Sequence, residues 1–160
     1  MAKIILLCGK ICSGKSTYAN QIKQKYNAVV LSCDELMLAL FEEQLGDRHN
    51  IILNKVKDYI YQLAEQIAAT NTDVILDFGF WTRTEREKVR SYFNSKGIKT
   101  ELHYIRVSPE VWLSNMERRN ESLHNGGMKS YYIDETMKQL LSEQFQEPDS
   151  DEIDILFDSK

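Results

Sequence analysis

The sequence predicts an α/β domain with a mainly parallel sheet and helices on both faces. Short aliphatic runs alternate with longer amphipathic segments along the 160 residues, which is typical of successive βαβ units. The first three runs are almost continuous in branched aliphatics, as expected for strands that are covered on both sides. A glycine-rich stretch, GKICSGKS, directly follows the first run. The length suits one domain, and we expect a single three-layer domain over residues 1–160.

Five runs have the length and composition of strands, the last of them weakly. They are 3–8 (KIILLC), 28–32 (AVVLS), 73–77 (DVILD), 101–107 (ELHYIRV) and 154–158 (DILFD). Parallel neighbours need right-handed crossovers, so the helices between the runs are expected on both faces of the sheet. Ligands of such sheets bind beyond the carboxyl ends of the strands.

The segments between these runs have helical periodicity and helix-start signals. Predicted helices cover 15–25, 50–71, 82–96, a stretch that begins at Ser108-Pro109, and 134–146. Thr82 with Glu85 forms a capping box, and a serine followed by proline is a typical N-cap and first helical position.

Composition and charge exclude several functional classes. Apolar residues make up 42% and the formal net charge is −4, which argues against a broad basic surface for duplex nucleic acid. The apolar runs are far shorter than the roughly 20 residues of a membrane span. No apolar segment follows the initial methionine, and the three cysteines lack metal-ligand spacing. We therefore expect a cytoplasmic protein with reduced thiols, no membrane partner and no obligate protein partner.

The glycine-rich stretch fits the phosphate-loop pattern G-x-x-x-x-G-K-[ST] at every fixed position, with a strand before it and a helix after it. The matching residues are Gly9, Gly14, Lys15 and Ser16. Its glycines allow inward-facing amides, the lysine reaches the β- and γ-phosphates, and the serine hydroxyl is a Mg²⁺ ligand. The pattern predicts ATP and Mg²⁺ as cofactors, against the alternative of a small polar turn.

Three further residues belong to this predicted nucleotide site. Thr17 follows the serine and is expected near the α-phosphate, while Cys12 and Ser13 lie inside the loop. Cys12 is either a reactive thiol beside a lysine or a small residue that fills the loop. Alkylation of this cysteine should block nucleotide binding sterically.

Two aspartates follow predicted strands. Asp77 closes the third run and is expected to assist Mg²⁺, or else to make a turn at the end of the strand. Asp34 follows the second run and opens the helical stretch ELMLALF. It is either a general base for an acceptor hydroxyl or the N-cap of that helix.

Arginines supply the remaining candidates. Arg118 and Arg119 end a predicted helix, where one of them can stabilise charge during phosphoryl transfer or simply complement the helix dipole. Arg83 and Arg86 either hold an anionic group of the acceptor or pair with Glu85 and Glu87.

Two polar loops are candidate covers of the site. GDRHN, with Arg48, is a candidate loop over the acceptor. The polar, glycine-containing segment 120–130 is either a mobile lid or an ordinary surface loop.

Several stretches together resemble a known group. They are GKICSGKS, LSCDELM, ILDFGFWTRTER, MERRNE and FQEPDSDE. Over nearly the whole chain they resemble the small P-loop kinase-like ATP-binding proteins of the AAA-type domain group. Relatives of that group include polynucleotide kinase, zeta-toxin-type and chloramphenicol phosphotransferase-like enzymes, and gluconate and shikimate kinases.

The resemblance implies a P-loop NTPase fold with sheet order 2-3-1-4-5 and a small lid at about residues 118–132. It also implies that Asp34 is the general base, that Arg119 contacts ATP phosphates, and that FQEPDSDE lies near the adenine. Lid helices of such kinases often carry two arginines one turn apart, but here Asn115 stands four residues before Arg119.

The sequence thus predicts an ATP-dependent kinase that phosphorylates a hydroxyl of an unidentified small molecule. A 5′-hydroxyl polynucleotide kinase is the first alternative, and it requires a local basic groove that leads to Asp34. The second alternative is a nucleotide-dependent binding module or switch with weak ATPase activity.

Overall fold

The computed structural model describes residues 1–41, 45–124 and 134–160. In it, five strands form one sheet of order β2-β3-β1-β4-β5, and every neighbouring pair is parallel. The strands are β1 (Lys3–Cys8), β2 (Val29–Leu31), β3 (Val74–Gly79), β4 (Lys99–Val107) and β5 (Ile155–Ser159). The P-loop fold and the sheet order that the resemblance implied are confirmed, including the weakly predicted fifth strand.

Helices connect the strands and lie on both sides of the sheet. They are α1 (Lys15–Tyr26), α2 (Cys33–Leu40), α3 (His49–Ala69), α4 (Arg83–Asn94), α5 (Pro109–His124) and α6 (Glu135–Gln144). A short 3-10 helix, Gly46–Arg48, precedes α3. No helix in the described ranges combines the length and apolarity that crossing a membrane requires.

The central strand β1 shows why the domain has three layers. Its alternate residues Ile4 and Leu6 belong to a core cluster that includes side chains of α3 and α4, whereas Ile5 and Leu7 pack with α1. All of these side chains are fully buried. Alternation along a strand directs successive side chains to opposite faces, so a continuous aliphatic run fits a strand that helices cover on both sides.

Two sequence predictions at the ends of strands need correction. The third strand continues beyond Asp77, because its register against β1 shifts between Leu6 and Cys8 and inserts a bulge there. Bulges redirect side chains and are frequent beside active sites. The N-cap of α2 is Ser32, whose hydroxyl accepts a bond from the Glu35 amide, so the alternative that Asp34 caps this helix is wrong.

The predicted lid overlaps a helix. Helix α5 extends to His124, so Arg118 and Arg119 lie within its last two turns rather than at its end. Residues 120–124, which were predicted as the start of a polar loop, are helical. Residues 125–132 of the predicted lid lie outside the described part of the chain, so the lid, like the single domain over 1–160, stays a prediction.

Candidate functional site

The loop after β1 is shaped by close backbone approaches. The Gly9 amide donates to the Gly79 carbonyl at 3.0 Å. A Cβ atom at Gly9 would lie 2.7 Å from Ser13 Oγ and 2.9 Å from the Ile105 carbonyl oxygen, so no larger residue fits without displacement. Gly14 has φ +93° and is the N-cap of α1, without a side-chain cap. The first-turn amides of α1 therefore point out of a helix end that favours anions.

The loop lysine is turned back onto the loop. The Lys15 ammonium donates to the carbonyl oxygens of Gly9 at 3.1 Å and of Lys10 at 2.6 Å. Burial lowers the pKa of Lys15, and the carboxylates of Asp77 and Asp34 oppose that shift. A lysine cation in a loop that opens a helix N-terminus has the composition of a phosphate-binding site.

Ser16 and Asp77 join α1 to β3. The Ser16 hydroxyl donates to Asp77 Oδ2 at 2.8 Å, and Asp77 is buried at the bulge of β3. A hydroxyl and a carboxylate are hard oxygen ligands of the kind that Mg²⁺ prefers, and phosphate-loop proteins use such a pair. These residues fit a magnesium site.

Asp34 faces the loop from α2. It lies in the first turn of α2 and lines the same cavity of about 1230 Å³ as Lys15, Ser16 and Asp77. The residue is exposed to solvent, but its carboxylate is partly surrounded by the walls of the cavity. The resulting desolvation raises the pKa of Asp34, while Lys15 opposes the shift and Asp77 adds to it. A carboxyl of raised pKa in a cleft beside a lysine is a candidate for proton transfer.

Helix α5 holds the outer edge of the loop through three side chains on one face. The Trp112 indole N–H donates to the Ile11 carbonyl at 2.7 Å, and the Asn115 amide donates to the Cys12 carbonyl at 2.9 Å. One turn further on, Arg119 Nη1 contacts Cys12 Sγ at 3.4 Å. Asn115 therefore anchors the loop backbone at the position where related lid helices often carry an arginine, and Arg118 donates to its side-chain oxygen.

The structure brings most predicted site residues together. Those that line the large cavity are Cys12, Gly14, Lys15, Ser16, Thr17, Asp34, Asp77, Arg118 and Arg119. Gly9 and Ser13 shape the loop from behind, and the Ser13 hydroxyl is buried without a hydrogen-bond partner among the described residues.

Three arginines that were predicted to contact the acceptor are not among the residues that line this cavity. Arg86 is 1% exposed and binds Glu152 at 2.8 Å together with the Phe80 and Gln146 carbonyls. Arg83 pairs with Glu87 at 2.8 Å and with Asp149 at 2.6 Å. The contact with Glu87 is one that the salt-bridge alternative predicted. Arg48 is exposed in the short 3-10 helix.

Sequence reasoning missed several residues of the cavity wall. They are Glu35, Leu38, Leu53, Lys57, Phe78, Trp81, Thr82 and Glu85, whereas His49, which also lines the wall, belongs to the predicted GDRHN loop. Lys57 lies one helical turn after Leu53, so the apolar stripe of α3 contained a signal for its position.

The turn after β3 places Trp81 at the cavity. Gly79 and Phe80 have positive φ angles of 87° and 48°. A Cβ atom at Gly79 would lie 2.7 Å from Trp81 Nε1, so the indole folds back over this glycine. The Gln146 amide then donates to the Trp81 carbonyl at 2.7 Å and fixes the turn.

A second cavity, of about 490 Å³, opens at the ends of β4 and β5. Its polar lining includes Lys10, Arg106, Glu147, Asp158 and Ser159. The Ser159 hydroxyl lies 2.9 Å from the position that a Cβ atom at Gly14 would take, so this cavity borders the loop on the side opposite β2 and β3.

Comparisons with known proteins agree with this geometry. The family model described as an AAA domain matches residues 4–146. No curated protein sequence matches the chain.

Solved structures are similar in fold across almost the whole chain. Kti12 from Chaetomium thermophilum, in complex with ADP-AlF3, has a TM-score of 0.73 at 15% identity and covers 97% of this chain and 87% of its own. The APS kinase CysC of Mycobacterium tuberculosis, in complex with AMPPNP and APS, has 0.68 at 17%, with coverages of 98% and 88%. A gluconokinase from Sinorhizobium meliloti has 0.65 at 16%, with coverages of 98% and 82%. At these identities the likeness shows a kinase-like P-loop fold and no specific substrate.

Proposed function

The chain belongs to the AAA-domain family that its residues 4–146 match, and from that premise we propose that it is an ATP-dependent kinase. It transfers the γ-phosphoryl group of ATP to a hydroxyl of a small-molecule acceptor. One observation carries the proposal: the Asp34 carboxyl lines the same cavity as the loop lysine, Lys15. A phosphate cradle alone serves many functions, whereas a cradle that faces a carboxyl of raised pKa favours transfer to a hydroxyl.

In this proposal the triphosphate lies against the first turn of α1. The amides after Gly14 and the Lys15 ammonium bind the β- and γ-phosphates, with Thr17 near the α-phosphate. Ser16 and Asp77 would hold Mg²⁺, which neutralises phosphate charge when it is bound. The cavity at the ends of β4 and β5 accommodates the nucleoside, because it adjoins the loop and lies beside the segment that was expected near the adenine.

The chemical step is a displacement at the γ-phosphorus. Asp34 orients the acceptor hydroxyl and takes its proton as the oxygen attacks. A bond from that oxygen to phosphorus forms, while the bond from phosphorus to the β,γ-bridging oxygen breaks and leaves ADP. Arg119, assisted by Arg118, stabilises the charge of the moving group from the α5 side.

A nucleotide-dependent switch is the second candidate, and the anchoring of α5 favours it. Trp112 and Asn115 bind loop carbonyls directly, so a displacement of the loop on nucleotide binding would pass to α5. A switch would release ADP slowly, without stimulation by any hydroxyl compound, and would bind a partner only in the ATP form.

We also place the reaction in the cytoplasm. The three cysteines are free thiols, and Cys8 and Cys33 are buried. Unpaired cysteines are usual in a reducing compartment.

The proposal is tested by separating binding from transfer. Lys15→Ala should abolish ATP binding in calorimetry, whereas Lys88→Ala, which changes an exposed lysine of α4, should leave it intact. Asp34→Asn should keep ATP affinity and lower acceptor-stimulated ADP release by about 10²–10⁴-fold, the range for general-base removal. Phosphorylation by Asp34→Asn at the wild-type rate would refute the base assignment.

A further inference from the structure

The large cavity has two halves, and the sheet order separates them. On one side lie Lys15, which belongs to the phosphate loop, and Arg119, which contacts Cys12 Sγ of that loop, and the second cavity beside β4 and β5 adjoins the same loop. The remaining half is built from the ends of β2 and β3 with α2 and α3. If the proposed kinase function holds, the acceptor lies in this half, because its hydroxyl must be held at Asp34 to receive the phosphoryl group from the loop.

Carboxylates dominate the charge of this acceptor half. Asp34 and Glu35 are adjacent in the first turn of α2, and Glu85 projects from α4. The one lysine of this half within the described residues, Lys57, donates to Glu85 at 2.7 Å, with side chains only 19% and 26% exposed. That pair is close to neutral, so the charge that remains among the described residues of this half is that of the Asp34 and Glu35 carboxylates, with the His49 imidazole on the same wall.

Three arginines of α4, the helix that carries Glu85, do not compensate for this charge. Arg86 is committed to Glu152, Arg83 to Glu87 and Asp149, and Arg90 to Asp154 at 2.7 Å. A bidentate arginine is the usual device for holding a carboxylate or phosphate group of a ligand. These arginines instead fix the C-terminal segment against α4.

Apolar side chains form the rest of the acceptor half. Leu38 and Leu53 line it from α2 and α3, and Phe78 and Trp81 line it from the end of β3. Such walls favour a ligand with a hydrocarbon or aromatic portion over a bare polyol.

From this juxtaposition we infer that the acceptor is an alcohol that carries an amine and an apolar portion, and that anionic alcohols are rejected. The ammonium lies by Glu35, the apolar portion contacts the leucines and Trp81, and the hydroxyl lies at Asp34 and points toward the loop. Discrimination arises from repulsion as well as from attraction, because an anionic ligand would meet the carboxylates of Asp34 and Glu35, which form no salt bridge within the described residues.

The test uses three alcohols that share a 2-phenylethanol skeleton and differ in one substituent, which is cationic, neutral or anionic. They are 3-amino-2-phenylpropanol (cationic), 2-phenylpropanol (neutral) and tropate (anionic). Each is titrated into the protein saturated with AMPPNP·Mg²⁺ while protein amide shifts are followed by NMR, so that binding is measured without turnover. We expect the amine to bind at least about tenfold more tightly than tropate, with the neutral alcohol between them.

A charge reversal assigns the discrimination to this wall. Glu35→Lys should reduce the ratio of amine to tropate affinity by about tenfold, whereas Glu110→Lys, which changes the first turn of α5 outside the cavity, should leave the ratio unchanged. Amide shifts show whether each variant is folded.

Equal or tighter binding of tropate, absence of binding by all three alcohols, or an unchanged ratio in Glu35→Lys would each overturn the inference. Failure of the kinase function itself gives a different result: ATP either does not bind or is not consumed with any hydroxyl compound, whatever the ranking of these alcohols.

Discussion

The Ser16 hydroxyl donates a 2.8 Å hydrogen bond to an Asp77 carboxylate oxygen, which joins the first turn of α1 to the bulge of β3. The two residues are 61 positions apart in sequence, so this contact exists only because β1 and β3 are neighbours in the sheet. The bulge directs a buried carboxylate toward the loop at the end of an otherwise apolar strand. The same contact brings two oxygen ligands to one point.

We expect Asp77→Asn to weaken ATP binding only when magnesium is present. The amide keeps the shape of the side chain and accepts the Ser16 bond, but it lacks the charge that favours a divalent cation, and losses of about 10–100-fold are typical when a metal site is perturbed. Calorimetry with ATP in Mg²⁺ and in EDTA measures the effect, with Asp58→Asn as an exposed control on α3. Equal loss of affinity in EDTA would show that Asp77 acts on the fold of the loop and not on the metal.

A second prediction concerns the pH dependence of stability at Asp34. Desolvation raises its pKa in the folded chain above the ordinary value of 3.8, so the ionised carboxylate destabilises the fold. Well below pH 3.8 Asp34 is protonated in both the folded and the unfolded chain. The destabilisation develops as pH rises through the ordinary pKa and then through the raised pKa of the folded chain. Asp34→Asn should therefore be more stable than the wild type at neutral pH and should lose this advantage at low pH.

Urea unfolding at pH 3 and pH 7 measures this difference, since a shift in midpoint at constant slope reports stability. Asp58→Asn serves as the control. The acid limb of kcat/KM for the wild type should fall at a pH above the ordinary aspartate value, because the free enzyme needs the carboxylate as its base. A stability difference that is the same at both pH values would mean that Asp34 has no raised pKa.

The sequence was sufficient for the fold because local and global signals agree. The aliphatic run of β1 specifies a strand that is buried on both faces, and Thr82 and Ser108 accept bonds from the Glu85 and Val111 amides as their cap positions predict. Boundaries were less predictable. The bulge that extends β3 past Asp77 depends on pairing with β1, which no local pattern encodes.

The site residues that follow strands or belong to the phosphate loop were predictable. Side chains whose position depends on a partner far away in the sequence were not. The local sequence offers Glu85 and Glu87 as partners of Arg86, yet the arginine binds Glu152, 66 residues away. Glu85 in turn pairs with Lys57 on α3. Arg83 and Arg86, which the local sequence places in the acceptor site, thus form salt bridges with the C-terminal segment. These tertiary contacts have no local sequence signature.

The buried pair of Arg86 and Glu152 yields a third prediction. The arginine is 1% and the glutamate 9% exposed, and the pairing lowers the pKa of the Glu152 carboxyl. Removing either partner alone, in Arg86→Met or Glu152→Gln, should cost about 3–5 kcal/mol, because a buried charge or an unsatisfied donor remains. The double variant should recover part of that loss. Urea unfolding of all three variants gives the coupling, and a double variant that loses the sum of the single losses would show that the pair is not coupled.

The last prediction is selective modification of the loop cysteine. Burial raises the pKa of Cys8 and of Cys33 to about 12, so these thiols hold almost no reactive thiolate at neutral pH. Cys12 is half-buried, lines the large cavity and contacts Arg119. Iodoacetamide should therefore label one site, Cys12, and the added group should weaken ATP binding by at least about tenfold, which corresponds to a steric cost of about 1.4 kcal/mol. ATP·Mg²⁺ should protect the thiol, and Cys12→Ser should resist labelling and retain ATP affinity. Full affinity after complete modification at Cys12 would contradict a triphosphate bound inside this loop.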